Sequence, residues 1–245
     1  MKLLVNGACG RMGRAVLSMI DQGIQGAELA GAVDSYGSGD GILKSLNDFT
    51  GEADCIIDFS NHAATAELCA YIQKTKIPAV IATTGQTPEE LAMIDEAAKA
   101  APIFRSGNMS LGVALLMELA RTTAKMFPDA DVEIVEAHHN QKLDVPSGTA
   151  LMLAEAVKDA HPDYDVLVGR HENGKRPKKE IGIHSLRMGS TVGIHEVIVN
   201  TGTQIITLKH EAQDRSLFAE GALSAAAFLI GKQPGLYNMN DIVTQ

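Results

Sequence analysis

A glycine-rich turn lies between an apolar run and a helical pattern within the first twenty residues, and it narrows the folds open to this chain. Leu3-Leu4-Val5 reads as a short buried strand, Gly7-Ala8-Cys9-Gly10-Arg11-Met12-Gly13 follows, and residues 12–20 carry a helical apolar period. Glycines in such a turn let the backbone approach a pyrophosphate and let the helix pack on the sheet. The helix N-terminus adds N–H donors and a partial positive charge. The spacing is GxxGxxG rather than GxGxxG, so placement carries the reading more than spacing does. Taken alone, the glycines would also make a plain tight turn. Gly7, Ala8, Cys9, Gly10, Arg11 and Met12 are the candidate nucleotide contacts here.

The alternation continues. Residues 29–33, Cys55-Ile56-Ile57, Ala79-Val80-Ile81 and Ile103-Phe104 read as further strands, and residues 62–74 as a helix. Thr87-Pro88-Glu89-Glu90 opens another helix, with Thr as N-cap, Pro at the first helical position and Glu three after the cap. Continuous apolar strands separated by helices predict a parallel sheet covered on both faces, an α/β fold. Asp34 ends the second strand about 20 residues beyond Gly13, where an acidic residue accepts hydrogen bonds from the adenosine ribose. Ser35 and Tyr36 follow, with no nearby Arg or Lys to meet a 2′-phosphate. NADH is therefore expected to serve at least as well as NADPH. Asp58-Phe59-Ser60, Thr83-Thr84-Gly85 and Ser106-Gly107-Asn108-Met109 follow the third, fourth and fifth strands, at the ends where such sheets meet ligand. Each is also compatible with ordinary loop chemistry.

The character changes near Asn108. Residues 110–125 and 150–159 read as helices, and residues 132–137 as a strand. Three long strand-like segments then follow closely, at residues 181–188, 192–199 and 204–210. Asn200-Thr201-Gly202 is a hairpin signal between the last two. This half looks antiparallel and predicts a second domain over residues 108–213. The last helix starts after Asp214, runs through Leu229 and stops at Gly231. It is expected to return to the first domain, which then comprises residues 1–107 and 214–245.

A net charge of −9 argues against nucleic acid as a partner, because phosphate binding needs a basic surface. Three scattered Cys make neither a disulfide framework nor a zinc site, and point to the reducing cytoplasm. No apolar run approaches the roughly 20 residues that span a bilayer. The first strand starts at Lys2, so no signal peptide is expected.

Residues 136–150, EAHHNQKLDVPSGTA, are the densest polar stretch. Val145-Pro146 favours an extended approach to a helix that Ser147 can cap. The N–H groups of Gly148 and Thr149 then lie at a helix N-terminus, which suits a carboxylate. Two His with a Lys three further on suit reduction of a conjugated C=C–C=N system. Hydride pushes negative charge through the system, His donates the proton, and Lys holds charge. Other readings stand beside this one. On a continuous strand His138 and His139 face opposite sides, so both serve one site only if the strand ends there. An isolated His pair is more often a surface or metal-contacting feature, although no third ligand at zinc spacing is present. Ser147 resembles a nucleophile but suits capping better. Residues 170–179, rich in Arg and Lys, fit either a nearby anion or a solvated loop.

Residues 136–150 resemble the E-A-H-H-x-x-K-x-D-A-P-S-G-T-A signature of the 4-hydroxy-tetrahydrodipicolinate (dihydrodipicolinate) reductases. The likeness extends over nearly the whole chain. It includes the glycine turn, Asp58-Phe59-Ser60, Thr83-Thr84-Gly85, residues 108–112 and 181–187, Val192-Gly193-Ile194-His195-Glu196, and Gly235-Leu236-Tyr237-Asn238-Met239. The resemblance implies a Rossmann-type cofactor domain containing both chain ends, with NADH or NADPH held by residues that include Ala82, Thr83, Thr84, Ser106, Gly107, Asn108 and Met109. It also implies an inserted α+β domain of largely antiparallel sheet that binds a small dicarboxylate and forms a homotetramer. His138 is then the proton donor or acceptor and Lys142 assists. His139 contacts substrate, and Gly148 with Thr149, next to Ser147, holds a carboxylate. Ala82 replaces a common Gly, Val145 replaces a common Ala, and the segment after Asp34 lacks the usual Arg or Lys. A related amino-acid dehydrogenase, or an NAD(H)-binding redox sensor, is the alternative. A sensor needs none of His138, His139 and Lys142.

Overall fold

The computed structural model of the protein describes residues 1–244. Its contacts divide the chain into two compact units, Met1–Ser110 with Ser216–Gln245, and Leu111–Arg215. Both chain ends thus belong to one unit, and the other is inserted.

The first unit is a seven-stranded, wholly parallel sheet. Its strands are β1 (Lys2–Asn6), β2 (Glu28–Val33), β3 (Ile42–Leu43), β4 (Cys55–Asp58), β5 (Ala79–Ile81), β6 (Pro102–Arg105) and, from the chain end, β12 (Gly235–Tyr237). They lie in the order β12-β6-β5-β4-β1-β2-β3. All four residues of β4 and all three of β5 are buried, as expected for strands covered on both faces. Helices α1 (Arg11–Asp21), α2 (Thr65–Thr75) and α3 (Pro88–Ala98) alternate with the strands. Thr87 caps α3 through a reciprocal pair with Glu90, as its sequence predicts. Helix α6 (Ser216–Leu229) packs on α1 and on β4, β5 and β6. Phe228 of α6 meets Phe104 of β6 edge-on at 6.1 Å and Tyr237 of β12 at 5.7 Å. Those aromatic pairs tie the returning segment to the sheet. A short helix α7 (Met239–Val243) follows β12.

The inserted unit is a five-stranded mixed sheet with two helices, α4 (Leu111–Met126) and α5 (Gly148–Lys158), packed on each other. Its strands are β7 (Asp131–His138), β8 (Asp165–Val168), β9 (Glu180–Arg187), β10 (Gly193–Asn200) and β11 (Ile205–Ala212), in the order β11-β10-β7-β9-β8. The hairpin read at Asn200-Thr201-Gly202 joins β10 to β11. Gly202 takes φ +88, and its N–H donates to the Asn200 side chain at 2.8 Å. β9 and β10, neighbours in sequence, do not pair. β7 lies between them, parallel to β9 and antiparallel to β10. Alternate residues of these strands, Val132, Ile134, Ile181, Ile183, Val197 and Val199, are buried with Leu116, Ala120 and Leu153 of the helices, and this makes the second core.

Basic residues 170–179 are not a uniformly solvated loop. Arg176 donates to Asp131 (2.7 Å), Glu133 (3.0 Å) and the carbonyls of Val132 and Glu180, and Arg170 pairs with Glu180. Gly182 leaves the room that the Glu133 carboxylate occupies, since a Cβ there would lie 1.8 Å from its oxygen.

Candidate active site

In the first unit the ends of β1, β2 and β4 enclose a cavity of about 220 Å³ lined by Gly7, Gly10, Asp34, Tyr36, Phe59 and Ser60 among others. Gly7 adopts φ +79, and a Cβ on it would strike the Phe59 carbonyl at 2.4 Å. A Cβ on Gly13 would strike the Gly7 carbonyl at 2.1 Å. Only glycine meets both demands. Gly10 precedes α1 with no side-chain cap, and the first helical turn carries no acidic residue, so its donors and positive end suit a phosphate. Arg11 is exposed, Met12 half-buried and Ala8 buried. The Cys9 N–H is committed to Asp34 at 2.9 Å. Asp34 also accepts from Tyr36 (3.1 Å) and Gly37 (2.6 Å). Burial pushes its carboxyl up, but these three donors and the nearby Lys44 charge outweigh burial and hold it below its ordinary value.

Lys44 corrects one reading of the sequence. The segment directly after Asp34 has no cation, yet β3 pairs with β2 so that Asp34 N–H reaches the Leu43 carbonyl at 2.9 Å. Lys44 comes next and reaches the Gly37 carbonyl at 2.5 Å, so a cation stands beside Asp34 after all. A two-residue strand carries no readable periodicity, and its register alone delivers this charge.

Buried Asp58, the last residue of β4, ties together the ends of β1, β4 and β5. It accepts from Asn6 (2.8 Å), Ser60 (2.6 Å) and Thr83 (2.6 Å). Ala82 donates its N–H to the Asp58 carbonyl, while Thr84 is exposed. At the end of β6, Ser106 Oγ donates to the Asn108 carbonyl at 2.6 Å, the Cα of Gly107 faces open space, and Met109 is buried.

In the inserted unit β7 ends at His138, so His139 already lies in the loop and the strand's alternation no longer separates the pair. His138 Nδ1 lies 2.6 Å from Glu136, which is fully buried. Arg187 forks that carboxylate with two bonds of 2.8 Å, and the Ser147 N–H adds a third donor at 3.1 Å. Burial alone would raise Glu136, but its hydrogen bonds, led by Arg187, bring it down to about 2. Glu136 is thus a fixed anion, and it keeps the His138 proton on Nδ1 and Nε2 available for chemistry. Burial lowers His138 itself, Lys142 and Arg187 push the same way, and Glu136 opposes them without prevailing.

Ser147 caps α5 by accepting from the Ala150 N–H at 3.2 Å. The Cα of Gly148 faces open space, and Thr149 is half-buried. Lys142 pairs with Asp144 at 2.8 Å, and its N–H reaches the His139 carbonyl. The structure thus gathers His138 and Ser147 around Glu136, with Lys142 close enough to act on the His138 charge. It adds two residues to which the sequence assigned no role. Arg187 is one. His195 is the other, with Nε2 3.2 Å from Ser147 Oγ and its ring edge-on to His138 at 5.1 Å. Both lie within segments quoted for the family likeness. Glu136 alternates with Val132 and Ile134 along the strand, and its place on their apolar face was the signal that its carboxylate needed a cation from elsewhere.

A parallel sheet with a glycine-lined nucleotide end, joined to an inserted sheet that carries a clamped imidazole, is the plan of a dinucleotide-dependent oxidoreductase. Within that class the chain belongs to the dihydrodipicolinate reductase family: the family's N-terminal model matches residues 1–109 and its C-terminal model residues 112–243. The chain is 44% identical to the 4-hydroxy-tetrahydrodipicolinate reductase of Caldanaerobacter subterraneus subsp. tengcongensis, over 99% of this chain and 98% of that one. It is 41% identical to that of Rickettsia canadensis, over 97% and 96%. Its fold is similar to that of the dipicolinate-bound dihydrodipicolinate reductase from Paenisporosarcina sp. TG-14, with TM-score 0.82 at 22% identity over 99% of each chain. An amine dehydrogenase from Mycobacterium smegmatis is a more distant likeness, with TM-score 0.62 at 11% identity over 98% of this chain and 95% of that one. Among the described residues no helix is long and apolar enough to cross a membrane.

Proposed function

We propose that this protein reduces 4-hydroxy-tetrahydrodipicolinate to tetrahydrodipicolinate, with loss of water, in lysine and diaminopimelate synthesis. The observation that carries this is His138, with Nδ1 held by a buried, Arg-clamped carboxylate and with a capped helix N-terminus adjoining. The first unit binds the nucleotide and the inserted unit binds the dicarboxylate. Bound NADH or NADPH supplies hydride. Gly148, Thr149 and Ser147 hold one carboxylate at the start of α5, and His139 contacts the ring. Departure of the 4-hydroxyl and a proton from the adjacent ring carbon as water leaves a conjugated C=C–C=N system; on hydride addition to it, the displaced electron pair would take one proton from His138 Nε2, and Lys142 would offset the negative charge. A redox sensor has no use for this arrangement. Purified protein, NADH and enzymatically generated substrate are expected to lose absorbance at 340 nm. Binding of NADH without its oxidation would sink the reading.

NADH is expected to serve at least as well as NADPH, because Asp34, held ionised, repels a 2′-phosphate. Lys44 moderates that repulsion, so NADPH is still accepted. Lys44→Ala is expected to weaken NADPH by about tenfold, the scale of one partly screened charge pair, and NADH by less than about twofold. Fluorescence titration of each nucleotide measures this, and equal shifts for both would remove Lys44 from the role.

The homotetramer forms through the sheet face opposite α4 and α5, where alternation places Val135, Leu186 and Ile198, and Leu186 is exposed. Three free cysteines support a reducing, cytoplasmic setting.

A further inference from the structure

His195 lies in the middle of β10, opposite Glu136 of β7 and His210 of β11. It is 4% exposed. Its Nε2 meets Ser147 Oγ at 3.2 Å, and its Nδ1 has no hydrogen-bond partner among the described residues. Burial, reinforced by His138, brings its pKa down to about 4, so the ring is neutral near pH 7. A neutral ring carries one N–H, and the two tautomers differ in what they leave buried and unpaired. With the proton on Nδ1, a donor is stranded. With the proton on Nε2, only an acceptor lone pair is stranded, and that is the cheaper omission. In that second tautomer the Nε2–H donates to Ser147 Oγ.

Ser147 Oγ already accepts from the Ala150 N–H. Two incoming donors fill its lone pairs, and its own O–H proton must then point to a further acceptor. The Ser147 N–H is turned inward to Glu136. The hydroxyl is thus the group this residue can offer at the α5 terminus, where Gly148 leaves open space. The same His195 ring stands against His138 with the planes at 73°, so one side chain backs both the imidazole and the cap.

We propose that His195 is a positioning residue of the reduction: its Nε2–H occupies Ser147 Oγ so that the serine hydroxyl donates to a substrate carboxylate at the start of α5. The inference rests on the dicarboxylate reading above and goes beyond it in naming what aims the donor. Two replacements separate the hydrogen bond from the packing. His195→Phe keeps a ring beside His138 and loses the bond. His195→Gln keeps a side-chain N–H able to meet Ser147.

The test is calorimetric titration of the full-length protein with pyridine-2,6-dicarboxylate, paired with thermal unfolding and with KM and kcat for each variant. His195→Phe is expected to weaken the dicarboxylate and raise KM by about tenfold, the usual scale of one hydrogen bond to a charged group, with kcat within about threefold. His195→Gln is expected to recover affinity to within about threefold of the unaltered protein. Unaltered affinity in the Phe variant overturns the proposal. So do equal losses in both variants that track their unfolding temperatures, because His195 would then act by packing alone. Failure of the unaltered protein to bind the dicarboxylate overturns the substrate reading along with it, and so is distinguishable from the first outcome.

Discussion

His138→Gln is expected to lower kcat by about a hundred- to ten-thousandfold, the range that a positioned acid or base contributes, while leaving the Kd for NADH within about threefold. The glycine-lined cavity proposed for the nucleotide is formed by first-unit residues and His138 belongs to the inserted unit, so the substitution alters no residue that lines that cavity. Gln fills similar space but carries no ionisable proton. In the native protein, Glu136 keeps a proton on Nδ1, so the second, transferable proton sits on Nε2. A Cβ at position 193 would lie 3.1 Å from that nitrogen, and Gly193 keeps it approachable. The His138 pKa lies below its ordinary 6.5, because burial outweighs the Glu136 carboxylate. The proton-loaded form is therefore lost as pH rises through that lowered value, and kcat/KM of the free enzyme falls with it. A dianionic substrate favours the imidazolium and moves the kcat limb to higher pH. The Gln variant should lack this limb. Unchanged turnover would remove His138 from the role of proton donor.

Arg187→Met is expected to destabilise the protein by about 3–5 kcal/mol, the range for stripping one partner from a buried ion pair. Glu136 has no exposed surface, and Arg187 makes both ends of the fork that compensates it. The same guanidinium holds the Asp144 carbonyl at 2.8 Å, so the loop bearing Lys142 loosens too. The pH dependence has a definite sign. Glu136 has a folded pKa of about 2 against 4.5 as reference, so its contribution is complete above about 4.5 and is lost as pH falls toward 2. In the Met variant burial raises the carboxyl instead. The unfolded chain titrates alike in both, so the deficit relative to the native protein is largest above the variant's raised pKa and narrows as pH falls from there toward 2. Urea unfolding at pH 7 and pH 4 measures this. A deficit that does not change with pH would mean that Arg187 acts by packing, not charge.

Much of this was legible locally. The glycine turn, the Thr87 capping box, the Ser147 cap and the β10–β11 hairpin each follow from a few adjacent residues, because turns, caps and helix starts are satisfied by neighbours in sequence. Three strands were not legible. β3 has two residues, and β8 and β12 are short edge segments whose hydrogen bonds come from a distant partner. Missing β3 hid Lys44, and with it the cation beside Asp34. The order of the second sheet was hidden for a similar reason. β9 and β10 adjoin in sequence, and nothing in either tells that β7 enters between them.

Read along the chain, adjacent residues supply a glycine turn at a helix start, an acid at the end of β2, and imidazole and ammonium groups leading into a capped helix. Which of those groups are held, and by what, follows from the pairing of distant strands. Arg187 reaches Glu136 because β9 runs parallel to β7, and His195 reaches Ser147 because β10 runs antiparallel on the other side. Strand register depends on the summed burial of whole strands, so residues some fifty positions apart become partners that no local pattern announces.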